Sequence, residues 1–114
     1  MTFFDSEIVR AEMAEISELQ EEIYGSVFKF PSMTREDKIH HVNLLERLLS
    51  KQQVLYTRMS LSDDPEAQEM KQKIVESARM MGLPPNVDMS VIFSNMTKML
   101  EIMKAQIDKT GSDL

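Results

Sequence analysis

The chain has no cysteine. Disulfides, thiolate-held metals and a cysteine nucleophile are therefore excluded, and the absence fits a reducing cytoplasm. There is no tryptophan, and there are only three glycines, which agrees with long helices and few special turns. No apolar run approaches the ~20 residues that a membrane-spanning helix needs. The first ten residues, MTFFDSEIVR, have neither a basic region nor an apolar stretch, so no secretory signal is expected. Lysine and arginine are outnumbered, 13 against 19 acidic residues. The resulting net charge of -6 opposes broad nucleic-acid affinity, which needs clustered cations. No P-loop, dinucleotide fingerprint, nucleophile elbow or zinc signature occurs.

What is abundant is methionine, with eleven residues in a chain of 114. Methionine is flexible and polarisable, so it fills irregular gaps and suits adaptable contact surfaces. A chain of this length suits one domain, residues 1–114. It should bury roughly two-thirds of the surface its unfolded form exposes.

Four stretches repeat apolar residues at helical spacing, and none alternates as a strand would. The spacing predicts helices over about residues 6–29, 35–59, 65–81 and 89–109. In the first, Val9, Ile16, Ile23 and Phe30 recur every seven residues, with Met13, Leu19 and Val27 between them. Asp5 is the expected N-cap, with Phe4 and Val9 placed as a hydrophobic staple. Pro31 should end this helix. Thr34 opens the second, and Thr34-Arg35-Glu36-Asp37 resembles a capping box. Its stripe is Ile39, Val42, Leu45, Leu48, Leu49 and Leu55. The short connection between them predicts an antiparallel hairpin with Leu19 opposite Leu45, Ile16 opposite Leu48 or Leu49, and Val9 near Leu55. Asp64-Pro65 starts the third helix. Gly82 stops it, with Pro84-Pro85 beyond. Asp88 starts the fourth, with Val87 and Ile92 as a staple. Gly111 and the polar tail should fray. The predicted fold is all-α: a long antiparallel hairpin plus a shorter helical pair, a bundle.

Candidate sites are few. Adjacent His40 and His41 point about 100° apart on a helix and cannot easily share a metal. Asp37 with His40 is a lone D-x-x-H, whereas di-iron bundles need two such motifs and further carboxylates. Glu7, Glu12, Glu15, Glu18, Glu21 and Glu22 scatter over the polar side of the first helix, a solvated face. Arg35, Lys38, Arg47, Lys51 and Arg58 make the second helix cationic, with the acidic first helix as its neighbour. The sharpest candidate is the methionine-rich last part: Met70, Met80, Met81, Met89, Met96, Met99 and Met103. Met70, Met96 and Met103 suit a core face. Met80 and Met81 are adjacent and Met89 sits near a turn, so one core face cannot hold them all. Met80, Met81, Met89 and Met99 are therefore the expected protein interface.

Residues 3–9 read FFDSEIV. Residues 81–85 read MGLPP, and Met103-Lys104-Ala105 follows in the last helix. These segments resemble the start and end of a small helical family, widespread in cyanobacteria and found in their phages, known only as a domain of unknown function. The resemblance spans most of the chain and is weak in the middle. The chain departs from the family by its many methionines, by the Pro-Pro-Asn-Val stretch before the last helix and by its polar tail. The resemblance implies a cyanobacterial or cyanophage setting and a cytoplasmic protein, and carries no site residues.

The expectation is a non-enzymatic helical module that binds a protein partner, a second copy among the candidates. No cofactor, metal, membrane or small-molecule substrate is expected. The alternative is a nucleic-acid-associated accessory factor using the second helix.

Overall fold

A computed structural model describes residues 2–83 and 88–112, with side chains through residue 109. Four helices follow in order: α1 Glu7–Ser26, α2 Arg35–Leu61, α3 Pro65–Met80 and α4 Met89–Ser112. Among the described residues there is no strand. The fold is all-α with four helices, as the apolar spacing predicts. No helix is long and apolar enough to cross a membrane among the described residues.

The start of α1 departs from expectation. Asp5 belongs to a short 3-10 turn, Phe3–Asp5, and Ser6 is the N-cap. The Asp5 carboxylate is held locally, accepting from the Thr2 amide at 3.2 Å, a competition typical of short polar side chains. With Ser6 as the cap, Phe4 and Val9 no longer hold the staple positions. The turn is instead tied across the chain. The Phe3 amide donates to Asp64 Oδ2, and Asp64 Oδ1 accepts from the Glu66 amide at 2.9 Å to cap α3. One carboxylate thus starts α3 and anchors the N-terminal turn beside it.

The α-helical part of α1 stops at Ser26, three residues short of the expected end. The chain tightens into a 3-10 segment, Val27–Ser32, that runs through Pro31. Proline has no amide to close an α-turn, so the wider helix cannot continue there. Thr34 caps α2 as expected, its hydroxyl accepting from the Asp37 amide at 3.1 Å. The end of α3 is a Schellman turn. Leu83 N–H donates to Ala78 at 3.2 Å, Gly82 N–H donates to Arg79 at 3.0 Å, and Gly82 has φ 96°. Asp88 Oδ1 accepts from the Ser90 amide at 3.0 Å at the start of α4. The Pro84-Pro85 stop and the Val87 staple lie outside the described residues. The backbone of α4 stays helical through Gly111 to Ser112, beyond the point where fraying was expected.

Helix α2, 27 residues and about 40 Å long, is the centre of the molecule. Along its first flank Glu22 meets His40, Glu15 meets Lys51 and Glu12 meets Arg58. Each step back along α1 is a step forward along α2, so the pair is antiparallel. Leu19, Ile23 and Leu44 form its core, with Leu45 and Leu48 packed against them. On the other flank Arg35 meets Asp108, Glu46 meets Lys104, and the Tyr56 ring meets Phe93 at 5.9 Å. Helix α4 is therefore also antiparallel to α2. Helices α3 and α4 come together around Ala78, Met89 and Phe93, where Leu49 of α2 completes a second core. Val42 and Ala67 are wholly buried. The outline is 55 × 32 × 20 Å, an open layer with α1 and α4 on opposite flanks of α2.

Candidate functional site

The histidine pair divides. His41 is buried, with Nδ1 3.2 Å from Ser26 Oγ and its ring against Phe30 at 5.3 Å. Burial holds its pKa below the ordinary value, with the neighbouring His40 adding to the effect. His40 is exposed, 3.9 Å from Glu22 Oε1. Among the described residues no three His, Asp or Glu side chains gather to hold a metal. Asp37 and the two histidines are not brought together. His41 instead packs at the turn end of the α1–α2 hairpin, between Ser26 and Phe30.

The cations of α2 are largely spoken for. Lys51 donates to Glu15, whose carboxyl is lowered first by that hydrogen bond and then by the lysine's charge. Arg58 Nε lies 2.8 Å from Glu12, Arg35 lies 2.9 Å from Asp108, and Lys38 sits over the Phe30 ring at 5.7 Å. These contacts tie α2 to the segments beside it and set three of its cations against carboxylates.

The four methionines expected at an interface also separate. Met80 is 89% exposed, Met81 85% and Met99 63%. Met89 is 9% exposed and packs with Leu49, Ala78 and Phe93. It leaves the proposed surface because the first turn of α4 tucks under the end of α3. Met70 and Met96, expected inside, are exposed instead. Met103 is half-buried. The apolar pattern identifies which side of a helix is greasy, but α1 does not reach across to cover α4.

What Met96, Met99 and Met103 do instead is line a groove between α4 and α2. Its walls are those three residues with Leu100, facing Leu45, Leu48, Leu49 and Gln52, around a volume of about 210 Å³. Among the described residues its lining holds no charge. Leu45 and Leu48 also pack against the α1–α2 core, so the groove floor is continuous with the hairpin. On α4 the wall residues Met96, Met99 and Met103 fall at steps of three and four, the spacing of a coiled-coil seam. Leu45, Leu48, Gln52 and Leu55 on α2 keep the same rhythm.

Sequence reasoning placed the leucines of α2 in the hairpin alone and so missed the groove floor. A signal was present. Val42, Leu49 and Tyr56 form a second seven-residue series beside Leu45, Gln52 and Met59. A helix with two apolar series has neighbours on two flanks.

Fold and groove together define a small helical protein with an open groove whose lining carries no charge among the described residues. The chain belongs to the family described as Domain of unknown function (DUF1825), whose model matches residues 1–107. No curated protein and no solved structure matches it.

Proposed function

We propose that this protein is a non-enzymatic interaction module and that the α2–α4 groove is where a protein partner docks. The observation that carries this is the groove lining: seven apolar side chains and Gln52, with Met99 standing 63% exposed at the rim. Contiguous apolar surface of this kind marks contact sites on small proteins. Depletion of charge is the compositional signature of an interface centre. Methionines along one wall allow the surface to repack around different shapes. The coiled-coil spacing on both walls fits an amphipathic helix as the docking element. A regulatory or adaptor role in the cytoplasm of cyanobacteria, or of cells infected by their phages, is the setting we assign. The resemblance of the FFDSEIV opening and the MGLPP segment supports it.

The test uses the full chain at high dilution and a fluorescent amphipathic peptide with leucine at heptad a and d positions. Anisotropy should show saturable binding. Met99→Glu should weaken it more than tenfold, because losing one buried methionine contact is worth roughly 1.5–3 kcal/mol. Absence of saturable binding, or binding indifferent to Met99→Glu, would overturn the docking assignment.

A further inference from the structure

We infer that the occupant of the groove is a second copy of this chain, related by a two-fold axis passing close to Leu48 and Met99. This rests on the docking assignment above and names its partner.

A folded monomer of 13.2 kDa should expose roughly 6,400 Å², whereas this chain exposes 8181 Å². The excess, on the order of 1,700 Å², is about twice the ~800 Å² that each partner buries in a standard stable interface. The outline gives the same result. The radius of gyration is 16.5 Å, against roughly 13 Å for a compact chain of this length. The open outline thus leaves more surface than the ~800 Å² per partner that a standard interface needs.

Each chain carries a net -6, so two copies repel wherever acidic faces meet. A two-fold contact places residues near the axis against their own counterparts, and a charge there would face itself. Residues at the axis are therefore best uncharged. The groove meets that condition: among the described residues its lining is uncharged along both walls.

One face carries both a ridge, the Met96, Met99 and Met103 stripe of α4, and the trough beside it over Leu45 and Leu48. A two-fold rotation sets each ridge into the other copy's trough. The α2–α4 pairs then form a four-helix core, with α1 flanking it on either side.

The experiment exploits the absence of native cysteine. Wild-type protein at micromolar concentration should sediment at twice the chain mass. Met99→Glu should sediment as a monomer with its helical circular dichroism retained. Met99→Cys should oxidise to a disulfide-linked dimer. Phe28→Cys, 94% exposed at the far tip of the hairpin, should not. A dimer that survives Met99→Glu, or that cross-links through Phe28→Cys in preference, would overturn this interface. So would a wild-type monomer, and the amphipathic peptide then separates the two claims. A monomer that binds the peptide through Met99 overturns the second copy alone. A monomer that does not bind it overturns the docking assignment as well.

Discussion

His41 is the histidine that the fold takes out of water, and its environment makes a pH dependence that can be signed. Burial, and secondarily the charge of His40, depress its pKa below the ordinary 6.5. The folded state therefore favours the neutral ring. Its contribution to stability is complete above pH 6.5 and falls as the pH drops from there toward the depressed folded value, because the unfolded chain takes up the proton first. Urea titrations above and below that pH should show the wild type losing stability on acidification. His41→Gln should flatten that loss, and an unchanged slope would remove His41 as its source. Glu12 is the second residue whose position matters more than its type suggests. It interrupts the apolar seam of α1, and the structure turns it inward: Oε1 meets Arg58, while Oε2 is buried without a hydrogen-bond partner among the described residues. A buried acceptor left unpaired costs about 1–3 kcal/mol. Glu12→Leu should therefore be neutral or stabilising in urea. A loss above about 1 kcal/mol would show that the Arg58 pair holds the hairpin. From sequence alone Glu12 looked like one of a solvated row, because its partner lies 46 residues away and spacing within one helix cannot reveal it.

Elements are where the sequence was most legible, and the caps show why. Thr34, Asp64 and Asp88 act through bonds to amides two or three residues on, so the information is local. Asp5 misled because Ser6 and Asp5 are both good caps, and the N-terminal turn that takes up Asp5 is also tied to Asp64, far along the chain, through the Phe3 amide. Two glycines test how far backbone conformation explains stability, with opposite signs. Gly82 sits at φ 96°, and a Cβ there would meet nothing within 4 Å. Gly82→Ala should cost about 1–2 kcal/mol from left-handed strain alone. Gly25 lies within α1, and it too has open space around it. Gly25→Ala should instead stabilise by about 0.5–1 kcal/mol. Chemical denaturation of the two variants checks the pair. A loss at Gly25 would mean that the junction with the 3-10 segment needs glycine's freedom. The middle of the hairpin was legible too, since Leu19 shares a core with Leu44 and Leu45, whereas Leu49, one of the two partners expected for Ile16, packs with α3 and α4 instead. The hairpin's antiparallel sense followed from a short loop. The second flank of α2 was not, because which apolar series faces which neighbour depends on where the later helices fold back.

At the scale of the whole molecule the governing fact is that α2 has neighbours on two flanks while α1 and α4 do not close over it. Periodicity counts greasy faces and is silent on how many elements arrive to cover them, which is why Met96 was expected inside and lies exposed. Met89 shows the converse. Its place near a turn suggested a surface, yet the fold brings α3's last turn over it. An open layer of this kind has a thermodynamic consequence that a closed bundle lacks. If unfolding of the paired copies also separates them, stability depends on concentration by mass action. Each tenfold rise in protein adds about 1.4 kcal/mol to the unfolding free energy of the dimer. With an unfolding entropy near 2.1 cal/mol/K per residue, that raises Tm by roughly 3 °C for two chains of this length. Thermal melts across two decades of concentration should therefore shift upward for the wild type and stay fixed for Met99→Glu. Ile23→Ala is the matching control. It removes a buried side chain from the α1–α2 core, away from the groove, and should lower stability by about 2–5 kcal/mol while leaving the concentration dependence in place. A wild-type Tm that does not move with concentration would mean that the three-helix layer is stable uncovered, and that its methionine wall faces water by design.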